Sequence, residues 1–210
     1  GGGSFFGYAV AHTGGDPDDR LGDQTGEDGG DGGEINLTNG GAITTHADSS
    51  PAMSGQSIGG GGGTAGDATA ASYILALSGS SMTATVSHGG SGGKGGHGKN
   101  VTLTNLGNSA LSGTSFIKTF GQHSAGLQAQ SIGGGGGSGG LGNAGLLSQS
   151  GSNANEYTTQ ISIGGTGENG GNAGTVQVTN DIEITSAGSG SQGILAQSIG
   201  GGGGTAFTVI

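Results

Sequence analysis

The chain has 210 residues, of which 57 are glycine, two are proline and none is cysteine; charged residues make up 9%, aromatics 4%, and the formal net charge is −10. The missing cysteine excludes a disulfide framework or a thiolate metal site. So few aromatic and charged residues argue against one large globular core, and four cations in all (Arg20, Lys94, Lys99 and Lys118) exclude a basic nucleic-acid patch.

In chain order, the first segment with strand-like alternation is Tyr8 to His12, closed by Gly14-Gly15. An acidic stretch follows. Eight of the fourteen acids lie between Asp16 and Glu34, offset there by Arg20. Asp16, Asp18 and Glu27 stand at the first, third and twelfth places of a calcium loop, although Arg20 and Leu21 occupy the places of a ligand and of the turn glycine. Downstream, Gly29 to Glu34 approximates the calcium-binding nonapeptide of β-rolls, with Glu34 where an aspartate belongs. A solvated acidic loop competes with the calcium reading, and no other cofactor is implied.

Ile35 to Asn39 and Ile43 to Thr45 again alternate as half-buried strands do. Then comes Gln56-Ser57-Ile58 with the five glycines Gly59 to Gly63, and after it a candidate strand at Tyr73 to Leu77. From Met82 to His88 the order begins again: Gly89-Gly90, Val101 to Asn105, Phe116 to Thr119, Gln130-Ser131-Ile132 with Gly133 to Gly137, and Leu146-Leu147. A third pass runs through Tyr157 to Ile163, Gly164-Gly165, Val176 to Asn180, Ile182 to Thr185, and Gln197-Ser198-Ile199 with Gly200 to Gly204. The chain is therefore one continuous repeat array, with units roughly at 1–58, 59–132 and 133–199 and the start of a further unit at 200–210. Spacings show a constant skeleton with two insertions, about Asp16 to Glu27 and Leu106 to Gly113, which are expected to bulge from it. The chain starts inside a glycine run without an initiator Met, so it is expected to be a piece of a longer protein.

The fold class that follows is all-β: a parallel β-solenoid or β-helix with glycine-rich turns or polyglycine segments. A unit of about 66 residues divides into three rungs of roughly 22 or four of roughly 16–17, giving a stack on the order of 50–60 Å long. The Gln-Ser-Ile segments should stack in register. Glycine is expected at corners that need φ > 0. Five in a row exceed a corner's need, and a flat strand, a polyproline-II-like helix and a flexible loop stay open for them. If the runs are packed backbone to backbone, Gly61→Val or Gly135→Val should destabilise the stack. His12 and His88 fall where the third unit has Ile163, which reads as a semi-buried strand site and not as a metal ligand. His46, His97 and His123 have no partner at ligand spacing. Asn39, Asn105 and Asn180 recur at a strand end, where stacked asparagines form ladders.

The repeated Gln-Ser-Ile phrase with its five glycines, most fully Gly193 to Gly204, resembles the glycine-rich repeats of very large bacterial autotransporter-type surface proteins. So does Ile163 to Gly171 leading into Val176 to Asn180. The resemblance implies a Gram-negative origin, export, a β-helical passenger and a place at the cell surface; it carries over no catalytic residue. The expected function is a non-enzymatic structural fibre or adhesin segment acting in adhesion, biofilm or filament formation, with self-association or lateral packing of like chains and a surface or matrix receptor of unknown identity. A calcium-dependent β-roll-like module and an ice- or polysaccharide-binding solenoid are the alternatives.

Overall fold

A computed structural model describes residues 4–12, 25–76, 79–107, 115–150 and 154–207. Those residues are all-β. The first unit contributes β1 (Ser4–His12), β2 (Ile35–Asn39), β3 (Ile43–Thr45), β4 (Met53–Ile58) and β5 (Ala68–Ala76). The second contributes β6 (Gly79–His88), β7 (Val101–Asn105), β8 (Phe116–Thr119), β9 (Leu127–Ile132) and β10 (Gly142–Ser150). The third contributes β11 (Ala154–Ile163), β12 (Val176–Asn180), β13 (Glu183–Ser186) and β14 (Ile194–Ile199).

Every strand pairs in parallel with its counterpart in the adjacent unit, in the orders β1-β6-β11, β10-β5, β12-β7-β2, β13-β8-β3 and β14-β9-β4. Ile35 faces Val101, which faces Val176; Gln56 faces Gln130, which faces Gln197. Partners are 66 to 76 residues apart, the extremes being Ile35 with Val101 and Ser4 with Ser80. One whole unit is thus one layer, and the division into rungs of 16–17 or 22 residues is overturned. Three layers at about 4.8 Å separate the first and third backbones by roughly 10 Å, not 50–60 Å. A unit cannot be cut into shorter rungs because its strands differ in length and in what they bury, so each matches only its own counterpart.

Two cores result. The first lies inside β2–β4, β7–β9 and β12–β14. Alternate residues of β7 and β9 point in, so Val101, Leu103, Leu127 and Ala129 are fully buried beside Ile117 and Met53. The second lies between β5 and β10 on one side and β6 and β11 on the other, and it is made of small residues: Ala68, Ala70, Ala144, Ser81, Thr83, Thr85 and Ser87, with Ile74. Ser87 Oγ donates to the Ala68 carbonyl at 2.9 Å, and the Ser72 and Thr85 hydroxyls meet at 2.7 Å.

Between the cores run the glycine segments, a leading one at 25–34, 89–100 and 164–175 and a trailing one at 59–67, 133–141 and 200–207. Neither is strand or α-helix. Their backbone hydrogen bonds repeat every three residues. The amides of Gly26, Gly29 and Gly32 donate to the carbonyls of Ser91, Lys94 and His97, while those of Gly90, Gly93 and Gly96 donate to Gly66, Gly63 and Gly60. A threefold bonding pattern is that of a polyproline-II-like helix, so of the three alternatives for the glycine runs the extended helix is the one found. The helices zigzag through the layers, leading and trailing alternately; those inside the stack bond to the counterpart in the next layer and to both neighbours across the zigzag.

This packing corrects the reason for the glycines. Among the described residues the positive-φ positions are Ser49 (53°), His123 (53°) and Gly190 (69°), one equivalent turn in each layer, and only the third is glycine. At most inward positions of the glycine helices, glycine is needed because a Cβ has no room. At Gly134 it would overlap the Gly60 carbonyl, and at Gly137 the Gly63 carbonyl. The middle glycine of each run differs. A Cβ at Gly61 or Gly135 would meet nothing nearer than 3.8 Å, so the expectation that valine there breaks the stack is overturned. The third residue of each turn points outward, and these two are such residues.

Candidate functional site

The outward positions form ladders, and the repeated phrase is explained by them. In Gln56-Ser57-Ile58 the glutamine points out and the serine points in. Gln56 Nε2 donates to Gln130 Oε1, and Gln130 Nε2 to Gln197 Oε1, both at 2.5 Å. Ser57 and Ser131, 1% and 0% exposed, tie the trailing side of the layer to the leading helix: Ser57 Oγ accepts from Lys99 N, and Ser131 Oγ accepts from Gly174 N, each at 2.8 Å. Asn39 Nδ2 donates to Asn105 Oδ1 at 2.8 Å, and Asn105 Nδ2 to Asn180 Oδ1 at 2.6 Å, which makes the expected asparagine ladder.

On the leading helices the outward residues face Asp28–Lys94–Asn169 and Asp31–His97–Asn172. Here a side chain accepts from the outward amide of the next layer. Asp28 Oδ1 accepts from Lys94 N and Asp31 Oδ1 from His97 N, both at 2.7 Å; His97 Nδ1 accepts from Asn172 N at 2.8 Å. Asp48 and Asp67 take the same role toward Gln122 N and Leu141 N. Asp31 Oδ2 also holds Lys99 Nζ at 2.6 Å. That hydrogen bond, then the His97 amide, lowers the Asp31 carboxyl below its ordinary 3.8.

The calcium candidates fare differently from one another. Asp16 and Asp18 lie outside the described residues, as do most of both insertions. Glu27, exposed, belongs to the ordered stack: its carbonyl accepts from Gly63 N at 2.7 Å, so the bulge does not extend to it. In the nonapeptide-like stretch, Asp31 spends both oxygens on protein donors. Among the described residues no three His, Asp or Glu side chains gather as a metal site would need. His97 is a rung of a ladder, and His46 stacks on Phe120 with ring centroids 5.0 Å apart. His88 pairs with His12 and Ile163 in register as expected, but His88 and Ile163 are exposed, Ile163 by 43%, and not semi-buried.

Two concavities flank the leading helices. A groove of about 540 Å³ opens on the third layer, lined by Lys94, His97, Asn169, Gly170, Asn172 and Gly203 among others. A smaller one of about 340 Å³ is lined by Gly32, Glu34, Gly98, Lys99 and Asn100. Charge is sorted by layer. The described first layer carries Glu27, Asp28, Asp31, Glu34, Asp48 and Asp67 and no cation. The described second layer carries Lys94, Lys99 and Lys118 and no acid, and the described third carries Glu156, Glu168, Asp181 and Glu183 and no cation. No protein-family model, curated protein or solved structure matches the chain. No helix of the described residues is long and apolar enough to cross a membrane.

Proposed function

We propose that the chain is a non-enzymatic structural segment of a secreted bacterial surface protein: a β-solenoid with one repeat unit per turn, serving adhesion, biofilm or filament formation. One observation carries this reading, the grading of burial along the stack. Leu127 in the middle layer is fully buried, whereas Ile194 at the equivalent place in the third is 47% exposed. The same holds for Leu103 against Leu37 and Val178, which are only partly buried. In this core the layer covered on both faces buries its apolar residues most completely, so stability grows with the number of units, as in repeat arrays. That suits a stalk or fibre. The sequence resemblance supports the bacterial surface.

The test is a series with two, three and four units. Melting temperature should climb with unit number, rods of constant width should lengthen by about 5 Å per unit, and protease added to intact cells should reach the parent protein. Equal melting temperatures across the series would defeat the array reading.

One outer face favours a second reading, binding of polysaccharide or ice. It presents Ile58, Ile132 and Ile199, then the bare Gly61, Gly135 and Gly202, then Thr64, Ser138 and Thr205, the last two hydroxyls 2.7 Å apart. Ice-recrystallisation inhibition and glycan-array binding, each lost on Ser138→Leu, test it.

A further inference from the structure

Strand β6 alternates the wrong way round for a sheet with one face in water. In β7 of the first core, Val101 and Leu103 point in while Thr102 and Thr104 take the outer positions. In β6 the hydroxyls are inside. Ser81, Thr83, Thr85 and Ser87 are buried, and Met82, Ala84 and Val86 make the outer row, with Met82 54% exposed. The inversion continues in the third layer. There Glu156, Thr158, Gln160 and Ser162 hold the inner register of Ser81 to Ser87. Tyr157, Ile161 and Ile163 hold the outer register and are 64%, 43% and 43% exposed. In the first layer Phe6, Tyr8 and Val10 pair with Met82, Ala84 and Val86. The pattern costs stability inside, where Ser81 Oγ, Thr83 Oγ1 and Glu156 Oε1 are buried without a hydrogen-bond partner. A half-solvated sheet carries its polar residues outward, so the outer face of β1-β6-β11 has the composition of a covered surface. It runs along the flank of the stack. Adjoining units of a longer array would lengthen it, not cover it.

From this we infer that two copies of this chain dock side by side, the outer faces of their β1-β6-β11 sheets packed on each other. Three observations select a second copy as the occupant. The first is charge. These strands hold one formal charge between them, Glu156, and it falls in the inner register, so the net charge of −10 is carried elsewhere. The second is period. The rows repeat about every 4.8 Å, and a partner that keeps contact layer after layer needs the same repeat, which a second stack has. The third is area. Strands of nine or ten residues, at about 3.3 Å per residue and three layers deep, present roughly 400 Å². That is half of the roughly 800 Å² per partner that a stable interface buries. Three layers therefore form a weak, reversible dimer, and about six would form a stable one. The contact uses the same patch on both copies, so it closes at two stacks. The inference rests on the array reading for this growth with unit number, and it names the array's lateral partner.

Full overlap of two such faces places the twofold axis at their centre, so Ala84 of one copy meets Ala84 of the other. Ala84→Lys and Ala84→Glu each bring like charges together there. In the single chain either side chain reaches water, and its register neighbours Tyr8 and Thr159 carry no charge. Leu147→Lys is the control: Leu147 is 67% exposed on β10, which belongs to the other sheet of the second core. The experiment is sedimentation equilibrium over a concentration series, with circular dichroism melts as a folding control. Salt at about 0.5 M screens the acids of the two copies from each other. The unsubstituted chain should pass reversibly from monomer to dimer and no further. Both Ala84 variants should melt as the parent does and dimerise at least tenfold more weakly. Mixing them should restore dimers, one copy of each, and Leu147→Lys should dimerise like the parent. Folded Ala84 variants that dimerise like the parent would overturn the inference. So would a mixture no stronger than its components, or equal weakening by Leu147→Lys. A parent that stays monomeric and floats with phospholipid vesicles would assign the face to a lipid surface, and a monomeric parent of any kind overturns self-docking. None of these outcomes bears on the unit-number series, which tests the array reading by itself.

Discussion

Two neighbouring glycines in one run should respond oppositely to the same substitution. Gly134→Val places a Cβ inside the Gly60 carbonyl, a backbone atom of another layer that no rotamer change can move away. The layers must part locally, which strains the bonds from Gly134 N to Gly96 O at 2.9 Å and from Gly171 N to Gly134 O at 2.7 Å. Overpacking typically costs about 1–3 kcal/mol and each hydrogen bond roughly 1 kcal/mol, so a loss of about 3–5 kcal/mol is expected. For a chain of this size that is a fall in Tm of roughly 6–20 °C. Gly135→Val points into open space, with the nearest atom, the Gly202 carbonyl oxygen, at 3.8 Å. Its cost should stay within about 1 kcal/mol, since removing a glycine also lowers the entropy of the unfolded chain. Thermal and urea unfolding followed by circular dichroism reads both. Equal destabilisation by the two, or tolerance of both, would refute the threefold packing.

Burial grading predicts that Leu127→Ala costs about 2–5 kcal/mol, while Ile194→Ala in the open third layer costs under about 1 kcal/mol; urea midpoints at constant m-value compare them. Gln130→Leu removes both glutamine ladder bonds on an outer face and should lower stability by no more than about 1–2 kcal/mol, with strand dichroism unchanged. Asp31 has a folded pKa lowered by Lys99 and the His97 amide, so its contribution is present above the ordinary 3.8 and lost as pH falls through the folded value. Melting temperature should therefore drop below about pH 4, less so in Asp31→Asn and less so in 1 M salt; an identical acid limb in Asp31→Asn would remove that role.

Much of the architecture can be read from the residues. Matching alternation in Ile35 to Asn39, Val101 to Asn105 and Val176 to Asn180 gives both the strands and their register, because a one-residue slip would turn Leu103 outward. The layer size cannot be read that way. A spacing of 66 residues fits one large turn as well as several small ones, and only the pairing of Ile35 with Val101 decides between them. The glycine helices are partly legible: the order Gly89-Gly90-Ser91-Gly92-Gly93-Lys94-Gly95-Gly96-His97 carries a period of three, two inward positions to one outward. The run of five hides this period, since Gly61 stands at an outward position where any residue fits. The His97 and Asp31 ladder positions are obscured for a related reason. Their partners are backbone amides 66 and 75 residues away, which leave no mark on side-chain spacing.

The central claim, that one repeat unit makes one layer, is tested most directly by a cross-link. The chain has no cysteine, and Gly61 and Gly135 are outward neighbours in adjacent layers. Stacked at about 4.8 Å, their Cα atoms fall within the range of about 4.4–6.8 Å that a disulfide spans. The Gly61→Cys/Gly135→Cys protein should therefore close a disulfide under mild oxidation in the folded state, seen as a mobility shift and a linked peptide pair. With rungs of roughly 16 to 22 residues the two positions would stand three or more rungs apart, roughly 15 Å or more. Free thiols after oxidation of the folded protein would contradict the account.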